Sequence, residues 1–197
     1  NSEYAANSKS VSVIEDQIEK VQGFRNSAIL SGNDQLASVY DLQLQSLNQA
    51  KSNAEVTNDV LSLGAISATG VFTAVSMLDA INTKIANSGS TGPVTINGTT
   101  YANAKDFWTF KRDSYLSDSS SNGFFSSLNT EVKNDISTMN SKNLLDTNAV
   151  TKAASVFDTL AARPELANYQ KQIDLYKQDV LQDGAGKVVD SIVNDFN

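Results

Sequence analysis

The chain has 197 residues, 40% of them hydrophobic, with 15 Lys plus Arg against 22 Asp plus Glu and a formal net charge of -7. That is enough apolar material for one sizeable core and rules out a disordered chain, while the acidic balance without a basic tract excludes nucleic acid and an anionic lipid surface as partners. It contains neither Cys nor His, which removes thiol nucleophiles, imidazole bases and the usual zinc sites, so no catalytic residue, metal site or cofactor is expected and the chain reads as a non-enzyme.

From Val11 to Ala28 the residues Val11, Ile14, Ile18, Val21, Arg25 and Ala28 step by three and four, the seam of an amphipathic helix with an arginine in it. Ser31-Gly32-Asn33 breaks that helix, and Asn33 or Asp34 is placed to cap the next. Leu36, Tyr40, Leu44, Leu47 and Ala54 carry a second helix to about Asn58. The stretch Val60 to Leu78 has no charge between strongly polar neighbours. It reads as a buried third helix running on to about Ala86, although its length also meets the threshold for a membrane span.

The loop Asn87 to Thr100 contains Pro93 and two glycine turns, with Val94 to Ile96 and Asn97-Gly98 suited to a short hairpin. A fourth helix, Tyr101 to Leu116, is dense in aromatics. After the serine-rich break 117–122, Phe125, Leu128, Val132, Ile136 and Met139 mark a fifth helix, and Val150, Ala153, Phe157 and Leu160 a sixth. Pro164 suits the first turn of a seventh, carried by Leu166, Tyr169, Ile173, Tyr176 and Val180 and extending to Val188, Ile192 and Phe196, with a bend or break expected at Gly184 and Gly186. The expected class is all-α: an elongated helical bundle of two related halves, about 1–88 and 101–197, joined by the loop 89–100.

The relation between the halves rests on two arginines. Phe24-Arg25-Asn26-Ser27-Ala28-Ile29-Leu30-Ser31 aligns with Phe110-Lys111-Arg112-Asp113-Ser114-Tyr115-Leu116-Ser117 if Lys111 is one extra residue, and the chain has three arginines in all, the third being Arg163. Arg25, Leu30-Ser31-Gly32 and Tyr40 resemble the four-helix-bundle and CHASE3-type ectodomains of bacterial chemoreceptors and sensor kinases. The doubled arrangement resembles the nitrate- and nitrite-sensing (NIT) domains, in which arginines from two related helices face one small anion. The likeness covers roughly 14–55 and 102–140. Phe24 and Asn26 stand where family members usually place Glu and Gly, and Lys111 precedes Arg112, so the expected ligand widens to a small anion or small organic acid.

On that resemblance Arg25 and Arg112 are the expected anion ligands. Trp108 and Tyr115 are expected as pocket walls, and Ser27 and Ser114 as additional hydroxyl donors. The implied role is the periplasmic or extracellular ligand-binding domain of a transmembrane receptor, excised from a longer protein. Its expected partners are a small-molecule anion, a membrane through segments outside this chain, and a second copy in a homodimer. Two other classes fit the composition: an adhesive surface bundle without ligand, and a pore-forming protein whose Val60–Leu78 segment leaves the bundle.

Overall fold

The structure is a computed structural model and describes residues 2–63, 72–89 and 92–195. The class is all-α, with one two-stranded hairpin. Among the described residues, no helix is long and apolar enough to cross a membrane. Backbone contacts divide the chain into two compact units: one of 1–66 with 79–112, the other of 67–78 with 113–197.

The first unit opens with two long helices, α1 (Ser2–Leu30) and α2 (Asp34–Leu63), which pack on each other as a hairpin. The expected seam is the observed one: Ile18 and Ala28 are buried and Val11, Ile14, Val21 and Arg25 are half-buried, while the residues between them are exposed. On α2 the facing residues are Ala37, Tyr40, Leu44 and Leu47, so Ala37 and not Leu36 begins the seam. The turn follows from local chemistry. Asn33 N–H donates to the Ala28 carbonyl at 2.9 Å and Gly32 N–H to that of Ile29 at 3.0 Å. This paired closure of a helix end needs a left-handed residue, which Gly32 supplies at φ +76. The Asn33 side chain then accepts from Leu36 N–H at 3.1 Å and caps α2.

α2 continues past Asn58 to Leu63, with no glycine or proline in that interval to stop it. Of the uncharged stretch, Val60 to Leu63 belong to α2, residues 64–71 lie outside the described residues, and Thr73 to Leu78 open α3 (Thr73–Asn87).

β1 (Val94–Ile96) pairs antiparallel with β2 (Thr99–Tyr101) through an Asn97-Gly98 turn with φ of 50 and 81, the left-handed pair that suits strand twist. The short hairpin expected within the loop is present, its second strand extending to Tyr101, which was expected to open the fourth helix. Val94 and Ile96 are buried, and Thr95 N–H donates to the Asn53 side chain of α2 at 2.9 Å. α4 (Ala104–Ser117) follows, capped by Asn103, whose side chain accepts from Asp106 N–H at 2.7 Å.

The second unit is built on α5 (Phe124–Ser141), α6 (Thr147–Ala154), α7 (Val156–Ala161), a 3-10 turn (Pro164–Tyr169) and α8 (Gln170–Asp195). α8 is the element against which the others pack. The α5 stripe read from sequence is the core: Phe125, Leu128, Val132 and Ile136 are buried together with Phe124, Phe157, Leu160, Leu166, Ile173 and Val180. Two expectations are corrected here. The sixth helix is two, divided at Ser155, whose N–H donates to both the Thr151 and Lys152 carbonyls. α8 runs through Gly184 and Gly186 without a break. Gly184 serves closeness: a Cβ there would lie 2.5 Å from a Val150 methyl of α6, so only glycine admits this approach of the two helices.

Candidate functional site: the α4 face

Arg25 lies in the hairpin seam, and its guanidinium Nε donates to the Asp41 carboxylate of α2. Both side chains remain substantially in water, 38% and 53% exposed. Asp41 was not singled out from the sequence. The signal was there, because a seam arginine one turn before a hairpin end meets the residue flanking the seam tyrosine of the next helix. Phe24, beside Arg25, sits with its ring 5.8 Å from that of Tyr40.

Ser27 and Ser114 are both exposed. Their carbonyls accept helix-ending bonds, Ser27 from Ser31 N–H at 3.0 Å and Ser114 from Asp118 N–H at 3.0 Å. The aligned serines behave alike: Ser31 Oγ donates to the Ser27 carbonyl at 2.9 Å and Ser117 Oγ to the Asp113 carbonyl at 2.8 Å, each four residues back. Part of the sequence match between the two arginine segments therefore records a shared way of ending a helix.

On α4, Trp108 and Arg112 are four residues apart and so lie on one face, with Tyr115 a further turn along. Trp108 is fully buried at 0% exposure, at the end of an aromatic series: Phe110 to Tyr101 at 5.7 Å, Tyr101 to Phe107 at 5.1 Å, Phe107 to Trp108 at 5.0 Å. Its ring carries the largest side chain of that core, yet among the described residues its indole Nε1–H has no hydrogen-bond partner. A buried donor left unpaired costs ~1–3 kcal/mol, and buried tryptophans usually avoid that cost. Arg112 is half-buried one turn away.

Tyr115 belongs to the second unit, its ring 5.7 Å from Phe124 in an edge contact. Burial, and secondarily the Glu131 carboxylate, push its phenol up to about 12. Glu131 itself accepts from Ala74 N–H at 3.1 Å, serving the first turn of α3 from α5. Of the six expected site residues, Trp108 and Arg112 share a helix face within one unit. Arg25 has a carboxylate on α2, and among the described residues α1 packs chiefly on α2. In comparisons with known proteins, no family model, no curated protein and no solved structure matches this chain.

Proposed function

We propose that this chain is a non-catalytic ligand-binding module that takes a small anion or small organic acid on the Trp108–Arg112 face of α4, in the manner of an extracytoplasmic sensor domain. The observation that carries this reading is the fully buried indole N–H of Trp108, which has no partner among the described residues. An acceptor oxygen reaching it would recover the cost of the unpaired donor, and the guanidinium one turn on would supply the matching charge in a poorly solvated setting. The site is centred on α4 because Trp108 and Arg112 share one face of that helix, whereas Arg25 lies on α1. The sensor role draws on the resemblance at Arg25, Leu30-Ser31-Gly32 and Tyr40 and on the lack of His and Cys.

A thermal-shift screen of nitrate, nitrite, acetate and small dicarboxylates tests the proposal. One of these should raise the melting temperature, and Arg112→Gln should abolish the rise. Trp108→Phe, which keeps a ring and removes the donor, should weaken it. If no anion stabilises the protein and Trp108→Phe is more stable than the parent, the indole is a tolerated core defect and the proposal fails.

A further inference from the structure

A groove of about 530 Å³ lies in the second unit, apart from α4. It is lined by residues of α5 and α6, by Ser155 and Val156 of the α6–α7 junction and by Phe72 from the segment before α3. Its lining is largely apolar, with Phe72, Met139, Ala153 and Val156, and includes two opposite charges, Asp135 from α5 and Lys152 from α6. That volume lies in the range of small-molecule sites.

The two charges are the informative feature. Three other lysines of this unit close onto carboxylates: Lys133 to Asp179 at 2.6 Å, Lys177 to Asp158 at 2.7 Å and Lys187 to Asp183 at 2.8 Å. Asp135 and Lys152 line the same groove, yet among the described residues neither forms an ion pair with the other or with a third group. A groove lined by an unpaired anion from one helix, an unpaired cation from the next and several apolar side chains is complementary to a molecule carrying both charges and an apolar body. A simple anion would satisfy Lys152 and be repelled by Asp135, and a simple cation the reverse.

We propose that this groove binds a small zwitterion with an apolar body, its ammonium on Asp135, its carboxylate on Lys152 and its hydrocarbon on Phe72, Met139 and Val156. The site is independent of the α4 face and involves neither Trp108 nor Arg112. Substrate choice would follow from the separation of the two charges in the ligand, so an α-amino acid and a longer ω-amino acid are the two probes to compare.

Methionine-methyl NMR reads the site directly. The chain has two methionines, of which Met139 lines the groove and Met77 does not. The probes are leucine and ε-aminocaproate, with isoamylamine and isocaproate as the matched amine-only and acid-only molecules. One of the zwitterions should shift the Met139 methyl and leave that of Met77 in place, binding at least about tenfold more tightly than either half-charged analogue. Asp135→Asn and Lys152→Gln, both exposed positions whose change should leave the fold intact, should each reduce the zwitterion to the level of the analogues. Trp108→Phe should leave this binding unchanged, which separates the groove from the α4 proposal. Silence of the Met139 methyl with both zwitterions, equal binding of the half-charged analogues, or indifference to both charge removals would each overturn the proposal.

Discussion

Gly184 tests the packing of the second unit more sharply than any core truncation, because Gly186 on the same helix is its control. In an exposed helix interior, Gly→Ala gains about 1 kcal/mol from backbone entropy and propensity. At Gly186 nothing lies within 4 Å of an added Cβ, so Gly186→Ala should show that gain. At Gly184 the added Cβ meets the two Val150 methyls at 2.5 and 2.7 Å, well inside the ~3.5–4.0 Å of a normal carbon contact. Val150 is buried at 4% exposure and β-branched within α6, where one rotamer dominates, so it cannot swing aside. Overpacking of this kind costs about 1–3 kcal/mol, which cancels the propensity gain or exceeds it. The difference between the two variants is then the clash alone, about 1–3 kcal/mol, or roughly 2–12 °C in melting temperature for a chain of this size. Urea and thermal unfolding of both variants measure it. If Gly184→Ala stabilises the protein as much as Gly186→Ala does, α6 and α8 are not packed this closely.

Three further outcomes follow from individual residues. Tyr115 should titrate near 12 in an ultraviolet absorbance titration; because its folded value is raised, the stability linked to it is intact below the ordinary phenol range near 10 and is lost as pH rises toward 12. The Asp179 carboxylate is held below its ordinary value, first by the bond from Lys133 and then against a desolvation penalty with help from Asn129 at 3.1 Å. Its contribution is therefore present above about pH 4 and lost as pH falls through the lowered value, and Asp179→Asn should flatten that part of an acid unfolding curve. Arg25→Gln should cost less than about 1 kcal/mol and lose that effect at high salt, since the pair with Asp41 is largely solvated; it should also leave anion binding at α4 in place, whereas loss of binding would restore Arg25 as a ligand.

The parts of the fold that were legible in the sequence are those set by local rules. The α1 seam, the Ser31-Gly32-Asn33 turn and the Asn97-Gly98 hairpin each depend on a few neighbouring residues. The misread parts depend on distant ones. Gly184 looked like a helix breaker because its reason, Val150, is 34 residues away in the chain and meets it only across two helices. The split at Ser155 is invisible in the apolar stripe Val150 to Leu160, which keeps its spacing across the break. At the candidate site, Trp108 and Arg112 were legible as neighbours on one helix face, but the unsatisfied indole donor was not, since partner atoms are a property of the folded surroundings. Arg25 drew attention by rarity, and its carboxylate on α2 became apparent only with the hairpin in register.

The chain has one tryptophan, so its spectrum contains one indole N–H resonance, and that resonance is the most direct probe of the central claim. A nitrogen-15 correlation spectrum recorded through the anion screen should show this single signal moving downfield at saturation with the anion that stabilises the protein, as an unpaired donor acquires an acceptor. The same anion should leave it unmoved in Arg112→Gln. An indole resonance already at a hydrogen-bonded position in the free protein, or one that stays fixed while an anion raises the melting temperature, would contradict the assignment of the site to Trp108 and α4.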